Sequence, residues 1–313
     1  MQLPWGRFRQ LHGRRLHRTG GRASSIVDEN DLRAALLELE RSRTRPYYDP
    51  DSDAPAQERF YAGIDHEQAA TALYQALSQL LRETHTLQPA YKPARELYPW
   101  IDLQPDNNLR SVYSGKTFAP EDLIRADLEM DARRAERFQE LARTATDSTD
   151  LAAERDRVEA AFPYNCEHVV PQSWFQKREP MRGDLHHLFA CEPDCNSFRG
   201  NTPYFDFGDF ERAIRTDCGK REEHKFEPSG GKGPVARATL YFLLRYPGAV
   251  VSDEFEPERL AVLLAWHRAE PPAEYEQHRN QAIEQRQGNR NPLIDQPYLA
   301  ERIDFASALV AGD

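Results

Sequence analysis

The sequence is poor in sulfur and in long apolar runs. Of 313 residues only three are methionine and four are cysteine, and no stretch approaches the ~18 apolar residues that a membrane-spanning helix needs. The longest apolar run, Val235 to Leu244, is interrupted by Arg237. No membrane partner is therefore expected. The four cysteines, Cys166, Cys191, Cys195 and Cys218, are too few for a disulfide scaffold, and their clustering in the middle third suggests one local structural job. The start of the chain is Arg-rich (Arg7, Arg9, Arg14, Arg15, Arg18, Arg22) and lacks the ~7–15 residue apolar core of a secretory signal. Export by the usual route is not expected, and the compartment stays open. Positive charge is also scarce: 41 basic side chains stand against 51 acidic ones, for a net charge of −10. That excludes a general nucleic-acid coat, whose affinity would come from Lys and Arg neutralising phosphates. Any contact with a polyanion must be local and metal-assisted.

The length suggests about two domains, or one large domain with decoration. Residues 1–60 mix Arg, Gly, Ser, Pro and Asp and hold one helical pattern from Asn30 to Glu40, followed by a turn-rich stretch from Pro46 to Pro55. They read as an appendage with one helix, and the packed domain begins at residue 61. From Asp65 onward, Ala69, Leu73, Ala76, Leu77, Leu80 and Leu81 follow the 3.6-residue period of an amphipathic helix, which Pro89 and Pro93 stop. Leu109 to Gly115 alternates as a strand running into a turn. The charged run between Glu121 and Ala160 reads as a solvated helical pair, with a basic DNA-facing stripe as the alternative. Three more helices are predicted over 234–246, 257–268 and 273–287. No internal repeat or low-complexity tract is present.

The chemistry concentrates between Tyr164 and Tyr204. Glu167 and His168 are adjacent in a strand-like segment, where neighbours point to opposite faces unless the chain turns. A carboxylate suits a hard cation such as Mg²⁺, and a neutral imidazole suits proton abstraction from water. Asp194, Cys195 and Asn196 can open a short helix. The Asn196 carbonyl offers a second oxygen ligand, and Arg199 lies on the same face within reach of a phosphate on that metal.

Three motifs follow in order: Glu167-His-Val-Val-Pro171, Asp184-Leu-His-His-Leu188 and Asn196-Ser-Phe-Arg-Gly-Asn201. Together they resemble the bacterial endonuclease I family of ββα-metal, or His-Me finger, nucleases. The resemblance covers roughly Asp65 to Pro297. It implies an α+β fold in which a ββα-metal core, about 109–204, is embedded in a mainly helical nuclease domain spanning 61–310. It also implies metal-dependent hydrolysis of DNA, with RNA tolerated and little sequence preference, leaving 5′ phosphates. In this reading His168 is the general base and Glu167 and Asn196 hold Mg²⁺ or another divalent cation. Asp184, His186 and His187 support the site, with Asn201 as a turn or cap residue more readily than a ligand. A phosphate-contacting cation is expected from Arg199 and from the short loop in which Arg182, Arg178 and Lys177 compete. Cys166 stands where many relatives carry Arg. No protein partner is implied, and a monomer is expected.

The remaining residues are read more plainly. His66, His85, His224, His267 and His278 lack suitable neighbours and are assigned to surface or core. Asn289 to Pro292 terminates the domain. For the cysteines three states stand side by side: a structural Zn²⁺ on four thiolates, one or two disulfides, or buried free thiols. Zinc with site-selective cleavage would favour an HNH-type nuclease of the same superfold; a catalytically silent nucleic-acid-binding protein is the rival from another class.

Overall fold

Leucines at positions 73, 77 and 81 recur every fourth residue, and all three are fully buried on one face of a helix that runs over Ala70–Thr84. The computed structural model in which this is seen describes residues 28–144, 153–154, 157–159, 161–162, 164–208, 212–250 and 257–307. The Arg-rich start lies outside the described residues, as does part of the second half of the expected helical pair. In chain order the helices are α1 (Glu29–Ser42), α2 (Pro50–Tyr61), α3 (Ala70–Thr84), α4 (Pro93–Glu96), α5 (Pro120–Thr144), α6 (Pro193–Arg199), α7 (Lys232–Arg245), α8 (Pro257–Ala269), α9 (Glu274–Gln287) and α10 (Pro292–Asp295). Three small antiparallel sheets accompany them: β1 (Leu109–Arg110) with β2 (Thr117–Phe118), β3 (Cys166–His168) with β4 (Leu188–Ala190), and β5 (Ile214–Thr216), β6 (Gly219–Glu222) and β7 (Lys225–Pro228) in sequence order. The mixture of helices and small sheets is α+β. No helix among the described residues is long and apolar enough to cross a membrane.

The predicted helices over 234–246, 257–268 and 273–287 are α7, α8 and α9. Every residue of α7 from Val235 to Arg245 is buried, as expected of a helix enclosed on all sides. The Arg237 that interrupts its apolar run is itself buried and forms a two-point ion pair with Glu276 of α9 at 2.7 and 2.6 Å.

The turn-rich stretch near Pro50 opens a helix instead of a loop. Asp49 accepts hydrogen bonds from the backbone N–H of Asp51 and Ser52, and Pro50 sits at the helix start, where a missing N–H costs nothing. This corrects the appendage with one helix. Ala35 and Leu39 of α1 enter the core, and Asp53 of α2 is completely buried against Arg290, with both carboxylate oxygens 2.9 Å from its guanidinium. Asp295 holds the same Arg290 at 2.7 and 2.9 Å. A boundary at residue 60 would cut through these contacts. Short-range pattern cannot reveal such a tie, because its two sides are 237 residues apart.

Two apolar cores flank the β3–β4 pair. Leu188 and Ala190 point into one, together with Leu97, Ile124 and Ile283, while Phe189 and Cys191 point into the other, with Leu77, Val235 and Phe242. This alternation follows from the two-residue period of a strand. The register places Cys166 opposite Ala190, Glu167 opposite Phe189 and His168 opposite Leu188. The pair is therefore clamped on both faces and leads directly into α6.

Candidate active site

The ladder that pairs β3 with β4 is flanked by bonds from Val169 N to His187 O and from Cys191 N to Asn165 O. In an antiparallel pair this leaves the carbonyls of Cys166 and His168 directed to the unpaired edge. Helix α6 covers that edge with side chains. The Asn196 amide donates from Nδ2 to Cys166 O at 3.0 Å, and Arg199 donates to His168 O at 3.1 Å and to Val169 O at 3.0 Å. Backbone satisfaction thus fixes where both side chains sit relative to Glu167 and His168.

A cleft of about 330 Å³ opens at this edge, lined by Glu167, His168, Arg182, Asn196, Arg199 and Asn201 among others. Glu167 and His168 do leave the strand on opposite faces: Glu167 meets Tyr113, which belongs to one core, and His168 stacks edge-on with Tyr91 of the other. They reach one cleft because it lies at the strand edge, where both faces end. No turn between them is needed.

Glu167 is 1% exposed. Its Oε1 accepts from Tyr113 at 2.8 Å and from Arg199 at 2.7 Å, and Oε2 has no hydrogen bond among the described residues. Burial pushes its carboxyl above the usual range, while Arg199 and Tyr113 pull it back. Asn196 is arranged in a parallel way: with Nδ2 spent on Cys166 O, its Oδ1 is the atom left without a partner among the described residues. Two oxygens, one carboxylate and one amide, remain available in one cleft.

His168 donates from Nε2 to the backbone carbonyl of Arg182 at 2.9 Å. A carbonyl can only accept, so Nε2 carries the proton and Nδ1 carries the lone pair. Burial first, then the neighbouring His187, Arg182 and Arg199, hold this imidazole well below its usual pKa and hence neutral at pH 7. The accepting carbonyl is held by a tight loop. A Cβ on Gly183 would stand 2.0 Å from Pro89 O, so only glycine lets the segment behind Arg182 pass this closely.

Arg199 lines the cleft and is held by acceptors of the chain itself. It is 1% exposed, and its guanidinium serves Glu167, the carbonyls of His168 and Val169, and Thr202 O at 3.0 Å. A group with these contacts ties the strand edge to α6 and orients Glu167. Of the three loop cations, Arg182 and Lys177 line the cleft, whereas Arg178 is exposed and outside its lining, donating to Phe175 O.

Asp184, His186 and His187 sit behind the cleft. Asp184 is fully buried and accepts from Tyr241 and Tyr246 of the α7 region, from Gln287 of α9 and from the backbone of His186. His186 bonds to Asn289 O at 3.2 Å and His187 to Met181 O at 2.6 Å. His187 also lies against His168, with ring centroids 5.3 Å apart. Asn201 is exposed on the cleft rim. Tyr113, Tyr204, Tyr91, Arg134 and Glu159 also reach the site, and none was picked out from the sequence. Tyr113 alone carried a signal, as the aromatic end of the Leu109 strand segment.

The cysteines resolve into one disulfide, Cys195–Cys218, and two buried free thiols, Cys166 and Cys191. A zinc site on all four thiolates is not formed, because two of the sulfurs are bonded to each other and Cys166 and Cys191 face different cores. Glu192 lies beside the disulfide sulfurs, whose bond to each other leaves no thiolate there to hold a metal. The disulfide ties α6, and with it Asn196, to the segment just before β6.

Proteins similar to this chain are named as nucleases. An extracellular ribonuclease of Bacillus subtilis (strain 168) is 33% identical over 156 residues, covering 45% of this chain and 54% of its own. An extracellular deoxyribonuclease of Aeromonas hydrophila is 28% identical over 179 residues, 47% of this chain and 74% of its own. A periplasmic deoxyribonuclease of the same organism is 29% identical over 167 residues, 45% and 67% respectively. The chain spans about half the length of the Bacillus relatives it matches. The Endonuclease I family matches residues 70–298, from the first residue of α3 to beyond α10. The cleft and its three motifs all fall within that span, and the chain belongs to the endonuclease I family.

Proposed function

We propose that this protein is a metal-dependent endonuclease that hydrolyses phosphodiester bonds of DNA, tolerates RNA, and uses β3, β4 and α6 as a ββα-metal core. The observation that carries this reading is the division of labour within one cleft: His168 has its Nε2–H fixed on Arg182 O, while Glu167 Oε2 and Asn196 Oδ1 have no partner among the described residues. The two oxygens fit a hard divalent cation such as Mg²⁺, since a carboxylate and an amide leave positions for water and phosphate. When bound, that cation would neutralise charge on the phosphate and on the leaving 3′ oxygen.

The residues of the chain do the rest. His168 Nδ1 takes a proton from the attacking water, which needs a neutral imidazole, and burial keeps it neutral. Arg182, with Lys177 beside it, supplies the cation for a non-bridging oxygen. Arg199 and Tyr113 keep Glu167 in its ligand position. The product would carry a 5′ phosphate. That relatives are named both as ribonucleases and as deoxyribonucleases supports a site that reads the backbone more than the sugar. The test is a plasmid-nicking assay on the full chain with and without Mg²⁺. Chelation should abolish nicking and Mg²⁺ restore it, and undiminished cleavage after exhaustive metal removal would overturn the reading.

A further inference from the structure

One carboxylate in the cleft is given no role by the nuclease reading. Glu159 lines the cleft together with Lys177 and Arg182. Lys177 Nζ donates to its Oε2 at 3.0 Å, and Arg182 NH2 lies 3.5 Å from its Oε1. Each oxygen of one anion thus faces a different cation. A phosphodiester presents the same pattern, one negative charge shared over two non-bridging oxygens.

We propose that Glu159 is an internal competitor for the substrate phosphate, occupying the cations that a nucleic-acid backbone must take over. This rests on the nuclease reading and adds to it the residue that sets how tightly, and at what salt, the polyanion is held. The alternative is an ordinary ion pair with no bearing on binding. Position separates the two, because both cations of the pair line the same cleft as His168, Glu167 and Asn196. Exposure makes the exchange feasible. The Glu159 side chain is 26% exposed and its partners 36% and 25%, so each pair is partly solvated and contributes little to stability. A phosphate can displace such a carboxylate, whereas the buried Glu167–Arg199 pair would resist. Binding to this acidic chain is then an exchange of one anion for another, and the free cleft stays closed to weak anions.

The experiment is Glu159→Gln in the full chain, which keeps the shape and removes the charge, with Glu159→Ala as a second variant. Binding of a short fluorescent DNA duplex is followed by anisotropy in EDTA, so that no cleavage intervenes, at low and moderate salt. Both variants should bind about three- to tenfold tighter at low salt. Their log–log salt dependence should steepen, as phosphate takes over the contacts that Glu159 held. Under Mg²⁺ the KM for the same duplex should fall in step. The gain should vanish when Lys177→Gln and Arg182→Gln are added. Unchanged or weaker binding in both variants would overturn the proposal, as would a gain that persists without Lys177 and Arg182, or loss of fold in both. If the wild-type chain cuts DNA and Glu159→Gln binds no tighter, only this proposal falls. If the wild type neither binds nor cuts DNA with any divalent cation, the nuclease reading falls and takes this proposal with it.

Discussion

Replacing Arg199 by Ala separates two roles that a single arginine in this motif could have. The guanidinium is buried and satisfies Glu167, the carbonyls of His168 and Val169, and Thr202 O. Removing it strands a carboxylate that is itself 1% exposed. Breaking a buried pair from one side costs about 3–5 kcal/mol, because the remaining charge has no compensation. In a chain of this size each 1 kcal/mol moves Tm by roughly 2–4 °C, so the expected loss is on the order of 10 °C. Metal binding should suffer as well, since Glu167 loses one of the two groups that hold Oε1. Arg199→Lys should recover little, because one ammonium cannot reach acceptors that the planar fork reaches together. The assays are thermal unfolding followed by circular dichroism and titration of Mg²⁺ against both activity and calorimetric binding. An Arg199→Ala protein with unchanged Tm and metal affinity but a raised KM for DNA, restored by Lys, would refute this reasoning and return Arg199 to the phosphate.

His168→Ala should keep its fold and its Mg²⁺ affinity while losing about 10² to 10⁴ in rate, whereas Asn196→Ala should require far more metal to reach any activity; equal metal loss in both would contradict the division of roles. Replacing Cys195 and Cys218 together by Ser should cost about 3 kcal/mol of stability, since the bond closes a loop across a sequence separation of 23 residues, and an unchanged urea midpoint would show that the disulfide braces nothing. Burial, opposed by Asp184, pulls the pKa of His186 down to about 3. Below about pH 6.5 the unfolded chain therefore binds a proton that the folded chain refuses, and stability falls as pH drops toward 3. This one imidazole should remove about 2 kcal/mol between pH 7 and pH 5, and urea unfolding that is flat over that interval would contradict a neutral buried ring.

Much of the site was legible because its motifs are local. Glu167 and His168 adjoin in sequence, Asn196 and Arg199 share a helix of seven residues, and the three late helices follow from periodicity and prolines. The opposite-face geometry of Glu167 and His168 was likewise predictable from a strand's two-residue period. The partners of Arg199 are not legible, since helical spacing says only that it shares a face with Asn196. Its burial depends on carbonyls that the β3–β4 ladder leaves at an edge, and no pattern within α6 encodes that edge.

The sequence by itself determined the order of the motifs, the amphipathic and enclosed helices, and the oxygen and nitrogen donors that suit a hard cation, because these depend on residues within a few turns of one another. Only the tertiary structure decided which cysteines pair, which face of Arg199 is buried, and that Glu159 meets Lys177 and Arg182. It also docked α1 and α2 onto the body, through an Asp53–Arg290 pair joining the two ends of the described chain. A buried charge must find its counter-charge wherever packing places it, so the pairing is a property of the assembled cores. No segment of the sequence contains both halves.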